Sequence, residues 1–215
     1  MTPLARISDH ASPADAHLHD RARRPDTESG LVHAVAVAGR WLTGIYRLDL
    51  GLRAEHFVVS PEDARSLLPG DAPRSGVVVL DEGSELHLGL YLDPCDQGDP
   101  DTVVEETSHL LCLAWHAAHG RRVSRLTLEL QGEVDRYVVA RLQGRDGFGH
   151  FERFVWADWM DAETRGLYEA AHRAALRYCR LLARRFPGRR DTPALLSELR
   201  CFYRASPEQK LCAAN

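Results

Sequence analysis

Residues 102–120 read TVVEETSHLLCLAWHAAHG, and the reading of this stretch decides where the chain turns from strands to helices. It is long, mostly apolar and free of Gly and Pro until Gly120, as a single helix would be. An α-helix turns about 100° per residue. With Val103 at zero, Glu105, His109, Cys112, His116 and His119 fall between about 160° and 240°, a single stripe at steps of four, three, four and three. A stripe of this kind on a helix is ordinarily its wet side. Solvated stripes, however, are built from Lys, Arg and Glu, whereas every residue of this one is able to bind a transition metal. Glu106 falls off the stripe, at about 300°, beside Leu113 and Ala117.

Downstream of this helix, expected over 101–119, the chain continues to read as helical. A second helix spans about 124–143 and ends at Gly144, and Gly147 and Gly149 mark a loop. A third spans about 160–186, stopped by Pro187-Gly188. A fourth spans about 192–204, with Thr192 as N-cap and Pro193 in its first turn, and a short terminal helix follows Ser206-Pro207. Upstream, GVVVLDEGSELHLGLYLDP (76–94) holds two β-type runs around DEGS, the pattern of a hairpin, and Leu86, Leu88, Leu90 and Leu92 alternate as on a half-buried strand. SPEDARSLLPG (60–70) is a short helix between Ser60 and Gly70, and AEHFVVS (54–60) reads as a strand. LVHAVAVAGRWLTGIYRLDL (31–50) is apolar and ambiguous between helix and strand. Residues 1–30, rich in Ala, Asp, Pro, Arg and His, read as a disordered lead-in, and the HLH at 17–19 lacks a scaffold that would make it a metal site. The expected architecture is α+β: a small antiparallel sheet with its hairpin packed against four or five helices. It forms one domain over 31–215, with a sheet-rich part at 31–96 and a helical part at 101–215.

Composition narrows the class. A hydrophobic fraction of 44% and a charged fraction of 27% are those of a globular protein. A formal net charge of -4 gives no general attraction to nucleic acid or anionic membrane. RARR (21–24) and ARRFPGRR (183–190) cluster arginines, which reads as solubility and helix C-terminal charge rather than a phosphate patch. No run approaches the roughly 20 apolar residues of a membrane span, and the first residues lack a secretory h-region. The five cysteines are odd in number, widely spaced and without CxxC, which suits reduced thiols in the cytoplasm. The expected partners are therefore neither nucleic acid nor membrane. A protein partner fits the aromatic and aliphatic faces of the third and fourth helices.

The second helix adds carboxylates. Its apolar face carries Leu126, Leu130, Val134, Tyr137, Val138 and Leu142; Glu133 falls inside that face and Glu129 at its edge. A glutamate facing a core is costly unless it is paired or bound to a cation. Glu133 therefore reads either as the partner of an arginine such as Arg125 or as a metal ligand. Asp135 points away from the apolar face and is expected in solvent.

Glu105-Glu106-Thr107-Ser108-His109 on a helix behind a hairpin strand, with nineteen residues between His109 and Glu129, resembles the zincins, specifically the gluzincin group of zinc metallopeptidases, over about residues 76–143. Those proteins carry His-Glu-x-x-His on a helix and a glutamate ligand on the next one. The resemblance implies His109 and Glu129 as ligands, Glu106 as general base and a metal-activated water as nucleophile. The sequence departs from the pattern at Glu105, which stands where the first histidine belongs. A Glu/His/Glu set makes zinc a weaker Lewis acid and brings iron or manganese into range. The wheel favours Glu133 over Glu129 for inward direction, so the ligand set is Glu105, His109 and Glu129 or Glu133, in a metal-dependent hydrolase or an inactive relative.

Two other readings compete. Glu106-x-x-His109 and Glu169-x-x-His172 are the i, i+3 pairs of ferritin-like di-iron carboxylate bundles. That fold needs a further long helix before residue 101, and on the third helix Glu169 points towards Arg173 rather than the core. Alternatively the chain is a non-enzymatic helical interaction module whose histidine stripe meets a partner. No GxGxxG, P-loop or GxSxG elbow is present. GRDGFGHF (144–151) reads as a loop from which His150 is able to reach a site, and Cys112 as a buried packing thiol.

Overall fold

Leu31, Val35, Ala38, Leu42 and Ile45 recur at steps of four, three, four and three, and all five are buried. They make residues 25–46 a helix, α1 (Pro25–Tyr46), which settles the ambiguous segment 31–50 and also takes in the last residues of the expected lead-in. The computed structural model describes residues 25–67, 75–81, 86–153 and 161–214. The readings of HLH, of RARR, of Gly70 as a helix stop and of the DEGS turn lie outside those residues.

After α1 the chain passes through a 3-10 turn, Ala54–Phe57, where the sequence suggested a strand. Gly39 of α1 is the reason: a Cβ there would stand 3.1 Å from the Cβ of Ala54, so the turn seats its buried alanine directly against the helix. Only Val58 keeps strand character, in a single parallel bridge to Leu90. α2 (Pro61–Leu67) follows, and the Ser60 hydroxyl accepts from the Asp63 amide at 3.1 Å as the expected N-cap. β1 (Gly76–Asp81) and β2 (Leu86–Tyr91) pair antiparallel from Gly76 opposite Tyr91 to Asp81 opposite Leu86. The leucine alternation on β2 is buried only at its base. Leu90 and Leu92 are enclosed while Leu86 at the tip is 44% exposed.

The helical half begins with α3 (Pro100–Ala118), whose N-cap Asp99 accepts from the Asp101 and Thr102 amides. α4 (Arg125–Leu142) starts at Ser124, which accepts from Thr127. α3 and α4 end in Gly120 and Gly144, both at positive φ, where a side chain would strain the chain reversal. α5 (Gly149–Glu152) is one turn. α6 (Ala162–Arg185) is capped by Asp161, α7 (Thr192–Arg204) carries Pro193 in its first turn, and α8 (Pro207–Ala213) is held by a Ser206–Gln209 capping box.

One hydrophobic core joins Val35 and Leu42 of α1, Leu110 and Leu111 of α3, Leu130 and Val134 of α4, Ala175 and Leu182 of α6 and Leu199 of α7. The hairpin covers the far side of α3, with Val77, Val79 and Leu88 packed against Cys112, Leu113 and Leu128. The fold is α+β, a small hairpin on a helical body. α3 lies between the hairpin and α4, so one face of α3 is pressed onto α4 and closed to water. Among the described residues no helix is long and apolar enough to cross a membrane.

Candidate metal centre

α3 and α4 meet along the faces that carry their carboxylates. Glu105, His109 and Glu129 each offer one ligand atom, and these atoms all lie within 4.8 Å of one another. His109 Nε2 is 3.8 Å from a Glu129 oxygen. That nitrogen is buried and has no hydrogen-bond partner among the described residues, a position that demands an explanation in a native core. The other ring nitrogen, Nδ1, faces a Glu106 oxygen at 3.3 Å. A carboxylate on the back of an imidazole is the arrangement that orients metal-binding histidines and raises their basicity. Glu106 therefore stands behind His109 rather than beside the convergence point.

The close approach of the two helices depends on Gly132. A Cβ at that position would stand 2.8 Å from His109 Nε2 and 3.3 Å from Glu105 Cγ. Glu129, Gly132, Glu133 and Arg136 follow one another at i, i+3, i+4 and i+7, so they form one stripe of α4. Arg136 hydrogen-bonds Glu105 through its guanidinium. Arg125 flanks Glu129 at 3.8 Å and donates to the Tyr168 hydroxyl of α6 at 3.1 Å.

Burial is the main cause of the Glu105 carboxyl rising to about 7, with Arg136 opposing and Glu106 adding to the rise. Glu129 is likewise raised by burial, against the charge of His109. For His109, burial alone would lower the imidazole, but the Glu106 hydrogen bond and the charges of Glu129, Glu106 and Glu105 push it up to about 10. Three carboxylates around one imidazole thus concentrate negative charge in a dry place, and positive charge in their midst relieves it.

Glu133 lies outside this group. Its two oxygens meet His172 Nδ1 at 3.1 Å and His150 Nε2 at 3.0 Å, so its neighbours are histidines, neither an arginine such as Arg125 nor the Glu105–His109 ligand atoms of the two readings. Burial alone would raise its carboxyl, but the facing imidazoles of His150 and His172 and the charge of Arg136 hold it down at about 2. Burial in turn keeps the His150 imidazole below its ordinary value. Glu133 therefore ties α5 and α6 to α4. Its burial agrees with the inward direction of the wheel; His150 reaches it from the glycine-rich segment expected to bring that histidine to a site, and His172 reaches it from α6. Glu169 sits outside with Arg173 at 3.7 Å, so of the Glu169-x-x-His172 pair only His172 reaches a carboxylate of α4, and the pair does not form a shared di-metal ligand set. The long helix α1 is present all the same, although its residues before the hairpin read ambiguously.

The rest of the stripe is not a wet face. His109 is only 12% exposed, Cys112 and His116 are buried, and His119 alone reaches solvent. Cys112 is enclosed beside Leu113 and Leu128, and burial pushes its thiol up to about 11, away from the reactive thiolate. Asp135, expected in solvent, is 1% exposed. The face of α4 that looked outward is covered by α1. There Asp135 accepts from Ser108 at 2.5 Å, from Gln131 at 3.0 Å and from Tyr46. Gln131 in turn accepts from Lys210 of α8 at 2.7 Å.

Compared with known protein families, curated proteins and solved structures, the chain matches none. The functional reading therefore rests on the geometry of this site.

Proposed function

We propose that Glu105, His109 and Glu129 hold one divalent metal ion, and that the protein is a metal-dependent hydrolase in which that ion activates water. The observation that carries the reading is the buried, unpartnered Nε2 of His109 facing ligand atoms from two helices within 4.8 Å. Two carboxylates and one imidazole, with no thiolate among them, suit zinc, iron or manganese. The ion would lower the pKa of its bound water and polarise a substrate carbonyl or phosphoryl oxygen. Glu106, which the zincin resemblance makes the general base, orients His109 in this reading. Its hydrogen bond to Nδ1 aims Nε2 at the ion. Arg136 holds the Glu105 carboxylate in place and limits the net negative charge at the centre.

The test is bound metal in untagged protein, measured by mass spectrometry beside His109→Ala and Glu129→Gln variants of intact helicity. The reading expects near-stoichiometric metal that both variants lose, together with chelator-sensitive turnover in a screen of nitrophenyl esters and phosphates. Absence of metal, with the same thermal midpoint in chelator, removes the metal centre. Stoichiometric metal without any chelator-sensitive turnover removes the hydrolase and leaves a binding site.

A further inference from the structure

A groove of about 900 Å³ opens between α1, the C-terminal end of α4 and the start of α7. One wall is a helical face of α1 with Val37 and Trp41, and the opposite wall is Leu195 and Leu196 of α7. Trp41 is 36% exposed and, with Leu86, is one of two large hydrophobic side chains exposed among the described residues. An exposed tryptophan in a groove with mixed apolar and polar lining is a binding feature more than a packing one.

The polar part of the lining has one sign. Arg40, Arg141 and Arg189 border the groove and no carboxylate does, in a chain whose net charge is -4. Arg141 is fixed by neutral acceptors, the Tyr137 hydroxyl at 2.9 Å and the Phe186 carbonyl, so its charge is positioned but not cancelled. Among the described residues neither Arg40 nor Arg189 has an ion-pair partner. The volume lies within the roughly 300–1,000 Å³ of small-molecule sites. A second copy of the chain seated here would bring two sets of three arginines together, which like-charge repulsion disfavours. Arg141 stands twelve residues beyond Glu129 on the same helix, or about 18 Å along its axis. The groove is therefore separate from the metal centre and does not depend on it.

We propose that this groove binds a small amphipathic anion, with its aliphatic or aromatic body between Trp41 and Leu195–Leu196 and its carboxylate or phosphate on Arg40, Arg141 and Arg189. Direct charge-assisted bonds to guanidinium groups supply the head-group recognition, and the apolar walls supply area.

The experiment titrates the full chain with dodecanoate, dodecyl phosphate and dodecanol below their aggregation limits, following tryptophan fluorescence, with Trp41→Phe to assign the signal. Saturable binding of either anion, at least ten-fold tighter than dodecanol, is expected. The double variant Arg40→Glu, Arg189→Glu should weaken it ten-fold or more. Both residues are exposed, so the variant keeps the wild-type circular dichroism. Comparable isothermal calorimetry covers the case of a silent fluorophore. The proposal is overturned by absence of saturable binding in both measurements, by equal affinity for dodecanol, or by indifference to the charge reversal. Binding only to anionic vesicles, or a dimer in sedimentation that Trp41→Glu dissolves, would overturn it in favour of a lipid surface or a second copy.

Discussion

At the scale of single residues, the two nitrogens of the His109 imidazole differ: Nδ1 has a hydrogen-bond partner and Nε2 has none among the described residues. Because Glu106 meets Nδ1 while Nε2 faces the proposed metal position between Glu105 and Glu129, Glu106→Gln should leave metal stoichiometry intact and weaken affinity about 10- to 100-fold, measured by competition with a chelator of known strength. Were Glu106 the base alone, affinity would hold and only turnover would fall. Glu133 supports an independent prediction. Its carboxyl is held at about 2 in the fold against about 4.3 in an unfolded chain. A depressed carboxylate stabilises the fold above its unfolded pKa and loses that contribution as pH falls through the folded value. Stability on the order of 3 kcal/mol is therefore present at pH 6 and disappears between about pH 5 and pH 2. Thermal melts of Glu133→Gln should show a lower midpoint at pH 6 than wild type, and a smaller further loss down to pH 3. Parallel curves for the two proteins would contradict this.

At the scale of elements, the caps and apolar periods of α3, α4, α6 and α7 carry their own signals, and the structure starts and stops these helices within two residues of the sequence reading. The hairpin is equally local. α1 carries a helical period at Leu31, Val35, Ala38, Leu42 and Ile45, but Ala and Val fill the positions between, so both periodicities fit until one face is packed. The strand expected at 54–60 gives way because Ala54 seats against Gly39 of α1, a contact no local pattern contains. Gly132 shows the two levels in opposition. In a helix interior glycine costs up to about 1 kcal/mol relative to alanine, so Gly132→Ala should strengthen α4 taken alone. The added Cβ, 2.8 Å from His109 Nε2, pushes the imidazole off its position. We expect metal affinity to fall by at least ten-fold while the midpoint in chelator changes by no more than a few degrees. Unchanged affinity would mean that the close helix contact does not shape the site.

At the scale of the whole molecule, the most distant parts of the sequence are joined through buried polar side chains. Lys210 of α8 is fully enclosed, donates to Gln131 of α4 and lies over the rings of Phe202 and Tyr203. Burial lowers its pKa, with the charges of Cys112 and Asp135 opposing. Through Gln131 it reaches Asp135, which also ties in Tyr46 of α1 and Ser108 of α3. Removing one member of a buried charged network leaves the others unsatisfied, which costs about 3–5 kcal/mol. Lys210→Ala should lose stability of that order in urea unfolding. A loss below about 1 kcal/mol would show that α8 is a dispensable appendage.

The sequence by itself determined the helices of the second half, the hairpin and the α+β class, because capping, turn chemistry and periodicity are short-range properties of neighbouring residues. It also placed Glu105, His109 and Cys112 on one stripe of α3 and Glu129 beside Glu133 on α4, since the pitch of a helix is the same in every protein. Tertiary structure decided which stripes face each other. Packing α4 against α3 brought Glu129 to His109, and packing α5 and α6 on α4 gave Glu133 to His150 and His172. Packing α1 over the remaining face buried Asp135, which the helix alone would have left in water. Those outcomes depend on which buried surfaces of different helices fit together. Helical spacing gives the direction of a side chain about its own axis and leaves open what will occupy that direction.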